Sequence, residues 1–559
     1  MQKFCKTCNK KFEIREEDLI FYEQVKTTPP LFCPDCRMMQ RLAFRNERTF
    51  YKRTCDLCKK NIISIYTGSA PFPIYCHECW WSDAWDPKSF AQDYDLNKTF
   101  FEQYKKLQSK VPRLALMIVN SVRSEYTNGA AENKDCYLIF AADYNQDCLY
   151  GRLVQRSRSC VDCAFIYDSE LCYECIDVHK CFKCMYSEQC EGSSDLIFCY
   201  NMRDSNNCIF CTNGRHISNA ILNVKYTKEE YEKKKTEIFS NYENIEKAKK
   251  EFEELKKKTI VKYALQTKCH KVTGDYIYNC YDGESVFDSS DLKNCSYMAD
   301  AESGIDSMDC NNYYHKNELC YNIMGVLQSS KSKNCAFVFY SNEAEYCENC
   351  YHMTNAFGCI AIRKGQYMIL NKEYSKEKYF ELRKEIDEQM KKDDTFGQFF
   401  PPEIAPFGFN ETLGYDYYPI TKEESIKRGF NWQNQTTGTY GKETIKEKDM
   451  PKTIGEVTEN ILNEILVCKD CKKNFRITKS ELDFYKRMNI PLPHKDFECR
   501  HQDRMKKRNP RKLWHRSCMC EVKNHQHGTE KCENEFETSY SPDRPEIVYC
   551  ETCYQQEVY

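Results

Sequence analysis

Hydrophobic residues in the middle of this chain come in short strand-prone pieces: CYLIF at 136–140, CAFIYD at 163–168, LIFCY at 196–200 and CIFC at 208–211. Polar corners such as DYNQD (143–147) and EGSSD (191–195) separate them. Cys163, Cys172, Cys181, Cys190, Cys199 and Cys208 recur every nine residues. A short fixed period with strand-like pieces predicts a β-solenoid, in which equivalent residues of successive coils stack. An offset of 148 then carries Cys172, Cys199 and Cys211 onto Cys320, Cys347 and Cys359. The same offset carries ILNVKYTKEEYEKKKTEI (221–238) onto ILNKEYSKEKYFELRKEI (369–386). Each half thus runs from a cysteine- and aromatic-rich block into a charged helix. The first helix is expected over 226–257, and Thr227 with Glu230 reads as its capping box. The second block is looser: Cys280, Cys295, Cys310, Cys320 and Cys335 are spaced by 15, 15, 10 and 15.

The two ends share a different pattern. Adding 463 carries the apolar positions Phe12, Ile14, Leu19, Phe21 and Tyr22 onto Phe475, Ile477, Leu482, Phe484 and Tyr485. It also carries Cys5, Cys8, Cys36 and Cys55 onto Cys468, Cys471, Cys499 and Cys518. After an insertion of 11 residues, Cys58, Cys76 and Cys79 match Cys532, Cys550 and Cys553. This is a second duplication.

Cysteine usage gives these ends a chemistry. The chain has 559 residues and 37 cysteines, an odd number, and many stand as Cys-x-x-Cys. Its start has no apolar signal segment, so reduced thiols are expected rather than a disulfide framework. Cys5, Cys8, Cys33 and Cys36 form one pair of knuckles, and Cys55, Cys58, Cys76 and Cys79 a second. Such spacing lets four thiolates converge tetrahedrally on Zn²⁺. In the C-terminal copy, Asp496 stands where Cys33 stands in the first, leaving Cys468, Cys471 and Cys499 with an open fourth ligand. His501, Asp496 and His494 are candidates, and His501 is preferred because imidazole is the usual companion of thiolates on zinc. The last set is Cys518, Cys532, Cys550 and Cys553, although Cys520, His525 and His527 in the insertion leave it ambiguous, with Cys520 able to replace Cys518. About four zinc ions per chain follow. For the central cysteines the plain expectation is an inward ladder of buried thiols. CYEC (172–175) with CFKC (181–184) offers a metal or iron–sulfur alternative, and thiol–disulfide exchange a third.

FCKTCNKKFEIREEDLIFYEQ with PPLFCPDCR resembles the zinc-ribbon or treble-clef family. CHECWWSDAWDP, PFGFNETLGYDYYPITKEESIKRGFNW and NEFETSYSPDRPEIVYCETCYQQEVY are similar to segments of large cysteine-rich proteins of candidate-phyla bacteria. The resemblance covers almost the full length and implies zinc binding.

Charge adds one feature. The net charge is only −2, so affinity for nucleic acid would have to come from local patches. On a helix, Arg37, Arg41, Arg45 and Arg48 fall at about 0°, 40°, 80° and 20°, within one narrow face. Arg500, Arg504, Arg508 and Arg511 repeat that register, with Phe44, Phe50, Tyr51 and Trp514 nearby. Zinc-held arginine faces predict contact with RNA or DNA. The alternatives are bracing against the acids of REEDL (15–19) and KSELD (479–483), or a protein partner docking at Trp80, Trp81 and Trp85.

The expected fold is mainly β with α: a central duplicated solenoid-like region flanked by zinc modules. The boundaries are zinc modules at 1–54 and 55–95, solenoid repeats with their helices at 96–262 and 263–395, a Pro/aromatic strap and linker at 396–460, and zinc modules at 461–517 and 518–559. No P-loop, G-x-G-x-x-G, H-E-x-x-H or G-x-S-x-G motif is present, so no catalytic residues are assigned and a non-enzymatic, cytoplasmic scaffold is expected.

Overall fold

The computed structural model describes residues 1–435 and 437–559; residue 436, in the expected linker, lies outside them. Strand accounts for about 31% of the chain and helix for about 25%, a mixed α/β structure. Among the described residues, no helix is long and apolar enough to cross a membrane.

The middle of the chain is two parallel stacks. In the first, Arg152 pairs with Ala164, Ala164 with Ile176, and Asn206 with Ser218, always twelve residues on. The backbone explains this period. From Asn120 to Leu222 every third residue is left-handed, with φ between +44° and +61°. A twelve-residue coil therefore turns at four corners, and Asp and Asn, which tolerate this conformation, hold many of them. The residue after each corner points inward. All twelve cysteines from Cys136 to Cys211 occupy that position, beside Ile139, Ala142, Val154, Ile166 and Leu196. The expected period of nine is three such steps, and the coil itself is four.

Cysteine is the commonest inward group of the first stack, with larger side chains such as Ile139, Leu196 and Met202 between, and space is tight in places. A Cβ on Gly151 would stand 2.5 Å from the Val154 side chain. Inward serines fill other places and link coils: the Ser169 hydroxyl donates to Tyr167 O and accepts from Cys181 N–H.

The second stack keeps the rule but slips twice. Partners are eleven apart at His270↔Tyr281, twelve at Phe287↔Ala299 and thirteen at Met308↔Tyr321. The second slip falls where His315 and Lys316 are both left-handed. It explains the odd spacing of 10 between Cys310 and Cys320: three steps plus one inserted residue. All nine cysteines from Cys269 to Cys359 again follow a left-handed residue.

The expected helix over 226–257 is two, Lys228–Ile238 and Tyr242–Lys257. The Asn241 side chain accepts from Asn244 N–H and starts the second, and the Thr227–Glu230 capping box opens the first. Both cover the first stack, where Phe239 and Phe252 lie beside the coil-to-coil ladder Tyr186, Phe198, Phe210, whose rings stack at 4.6 and 5.4 Å. The strap is broken by short helical turns, and Phe399 and Phe400 enter a core with Phe44, Tyr104 and Tyr346.

The ends dock crosswise. Tyr22 of the N-terminal unit packs on Tyr321 of the second stack at 5.5 Å. Tyr485, its duplicate, packs on Tyr173 of the first stack at 5.8 Å. Tyr173 and Tyr321 differ by 148, the offset of the stacks themselves. One docking interface has been copied whole.

Candidate metal centres and the arginine docking faces

Each terminal unit builds its cluster from a hairpin and a helix start. At the hairpin, Cys5 N–H donates to Lys10 O, Cys55 N–H to Lys60 O, and Cys468 N–H to Lys473 O, all at 2.8–2.9 Å. The residues that close these knuckles, Asn9, Lys59 and Lys472, are left-handed at φ 56°, 63° and 64°. The second cysteine pair lies at a helix N-terminus. Cys33 precedes the helix Pro34–Leu42, Cys76 precedes His77–Trp81, and Cys550 precedes Glu551–Val558. A helix start favours thiolate over thiol.

These elements bring together Cys5, Cys8, Cys33 and Cys36, and likewise Cys55, Cys58, Cys76 and Cys79, with all ligand atoms in each set within 4.8 Å of one another. Hydrogen bonds from Cys33 and Cys36 hold the Cys5 thiol far below its ordinary range. Burial pushes the Cys55 thiol up, but the Cys76 N–H, 3.3 Å away, and further backbone donors draw it down to about 7. One thiol in each set is thus drawn down, while Cys33, Cys36, Cys76 and Cys79 are pushed up beside it; a divalent cation would supply the charge that lets all four ionise.

The third set is Cys468, Cys471, Asp496 and Cys499. The expectation of His501 is corrected: its ring is buried beneath Arg48, Arg504 and Arg152, and burial followed by those charges keeps it neutral. His494 is also absent from the set, because it stacks on Tyr242 at 3.8 Å. Asp496 performs two tasks. Its Oδ1 accepts from Glu498 N–H and Cys499 N–H, and its Oδ2 takes the Cys471 thiol at 2.8 Å, where a cation would replace the proton.

The last unit holds two sets instead of one: Cys518, Cys532, Cys550 and Cys553, and beside it Cys520, His525, His527 and Cys553. Cys518 and Cys520 therefore do not compete for one place. His515 stands apart, paired with Glu535 and Glu537.

Among the described residues, none of the central cysteines belongs to such a set. Their thiols donate instead to the carbonyl two residues back, as Cys175 does to Tyr173 O at 3.4 Å and Cys310 to Met308 O at 3.2 Å. Burial pushes the Cys163, Cys175 and Cys310 thiols well above their ordinary range.

The arginines lie elsewhere than expected. Helical geometry ends at Leu42 and Lys507, so only Arg37, Arg41, Arg500 and Arg504 share a helix face; Arg45, Arg48, Arg508 and Arg511 follow on irregular chain. Arg37 and Arg41 both reach Asp309 of the second stack at 3.0 Å. Arg500 and Arg504 both reach Asp162 of the first, at 3.1 and 2.9 Å. Arg508 joins Asp177 to Asp288, Arg511 joins Asp288 to Asp300, and Arg48 joins Asp416 to Glu498. Arg45 pairs with Glu47 at 2.6 Å, and Glu47 also takes Arg152 at 2.9 Å. No side chain in this register is more than 11% exposed. The register therefore faces the stacks, and the bracing acids come chiefly from there: of REEDL and KSELD, only Glu481 takes a register arginine, Arg500 at 3.5 Å. Asp162 and Asp309 were not singled out in the sequence, although both are left-handed corners 147 residues apart. The tryptophans are also engaged: Trp80 is buried, and Arg363 lies 5.1–6.0 Å from the three rings.

No family model matches this chain, and no curated protein matches it. The case for metal therefore rests on the ligand sets themselves.

Proposed function

We propose that the chain is a non-enzymatic, zinc-stapled scaffold for protein assembly. The two stacks are read as β-solenoids and the terminal units as treble-clef-like modules whose zinc is structural. Burial of the arginine register on stack carboxylates carries this reading, because it makes each module a clamp on its own chain. The knuckle-plus-helix construction of each cluster agrees, since closed four-ligand sets serve structure.

Chelation tests it. Removing metal should raise hydrogen exchange in residues 33–48 and 497–511 together and expose the faces around Tyr173 and Tyr321. The reading fails if metal-free protein keeps full protection there.

A second reading, contact with RNA or DNA, is favoured by a different surface from the one expected. A cleft of about 670 Å³ between the helices Tyr242–Lys257 and Phe497–Lys507 carries Lys249, Lys250, Lys257 and Lys506, of which Lys249, Lys257 and Lys506 are paired with Glu246, Glu254 and Asp503. Salt-dependent binding that Lys250→Glu with Lys506→Glu abolishes would establish it; protein purified at low salt free of nucleic acid favours the assembly reading.

A further inference from the structure

The insertion of 11 residues in the last module brings Cys520, His525 and His527 beside a cluster that already has four thiols, and the two sets share Cys553. Among the described residues, no second ligand set adjoins the N-terminal counterpart at Cys55, Cys58, Cys76 and Cys79. We propose that the C-terminal module holds a dinuclear metal centre in which the Cys553 thiolate bridges two divalent ions. One ion takes Cys518, Cys532, Cys550 and Cys553, and the other takes Cys520, His525, His527 and Cys553.

Both histidines are set up as ligands. His527 Nδ1 lies 2.8 Å from Glu530 O, and donation to that carbonyl puts the proton on Nδ1. Its Nε2, shut off from solvent with no hydrogen-bond partner, keeps a free lone pair. His525 presents Nδ1 to the Cys520 sulfur at 3.3 Å and Nε2 to Glu557 Oε1 at 3.0 Å. A carbonyl or carboxylate on the far nitrogen is how proteins orient metal-bound imidazoles.

Charge favours the second ion. Four thiolates on one divalent ion leave 2 − 4 = −2 in a module where all five sulfurs are buried. With Cys520 ionised and a second ion bound, five thiolates and two ions leave 4 − 5 = −1. Less uncompensated charge in a buried place costs less. Neutral imidazoles complete the second tetrahedron without adding charge.

This inference rests on the metal reading of the clusters, and the test separates the two. Protein purified under reducing conditions is analysed for metal per chain, as isolated and with His525→Ala and His527→Ala combined. The native chain should carry five ions, one per ligand set, and the double variant four with unchanged circular dichroism. Cobalt-substituted native protein should show a low-temperature paramagnetic signal from only three of its five ions, because a thiolate bridge couples the other pair. The double variant should show four. Four ions in native protein would overturn the dinuclear centre and leave the scaffold standing. Five uncoupled ions would overturn the bridge, and a folded chain without metal would overturn both readings.

Discussion

Arg41 Nη1 lies 3.0 Å from Asp309 Oδ1, and neither side chain has any exposed surface. The carboxylate also takes Arg37, while Asn311 and Asn322 accept from Arg41. Removing a buried acid leaves two guanidiniums without their counter-charge. Asp309→Ala should therefore destabilise the protein by about 3–5 kcal/mol in denaturant unfolding. Asp162→Ala should act alike at the copied interface, and a loss below about 1 kcal/mol for both would show that the clamp contributes little.

Asp496→Cys separates metal binding from helix capping. The variant should hold its metal more tightly against a competing chelator, since it restores the all-thiolate set of the N-terminal module. It should also lose about 1 kcal/mol from the helix Phe497–Lys507, because the carboxylate cap disappears. Cys33, which stands at the matching position, makes no side-chain cap.

Burial pushes the Glu47 carboxyl up, but Arg152, Arg45 and Arg48 outweigh it and draw it down to about 2. A carboxyl lowered on folding stabilises above its unfolded value, near 4.5, and that stabilisation fades as pH falls towards 2. Glu47→Gln should thus cost about 3 kcal/mol at pH 7, with the gap to the natural protein narrowing between pH 5 and 2. A gap that is constant with pH would contradict this origin.

Thiol labelling should resolve three populations. Cys269 is half-buried at the edge of the second stack, and a hydrogen bond from Cys280 draws its thiol down to about 6, so it should react first. The sixteen terminal cysteines should follow once a chelator removes metal. The remaining central thiols should react only on unfolding. Rapid native labelling of Cys163 or Cys310 would contradict their burial.

Much of this architecture was legible in the sequence, and the gaps have physical causes. Both duplications show as constant offsets, and ligand sets emerge from spacing because a knuckle is local. Cysteine spacing alone shows a period of nine where the coil has twelve, because all inward positions obey a three-residue rule and cysteine occupies only some of them. Contact with nucleic acid and bracing stay equally open for the arginines in the sequence, because Asp309 lies 272 residues beyond Arg37 and nothing local announces that pairing. Ligand chemistry alone favours His501 over Asp496, whereas the helix start decides which side chain reaches Cys471.

The crosswise docking also constrains how this molecule can be divided. A cut near residue 260 would leave the first fragment with the module that fits the second stack, and the second fragment with the module that fits the first. Neither piece would be complete, since Asp162 would lack Arg504 and Asp309 would lack Arg41, although Glu47 would keep Arg152 and Asp300 would keep Arg511. Mixed together, the two fragments would regain their partners only by exchanging arms, so the smallest self-sufficient version of this chain includes both halves.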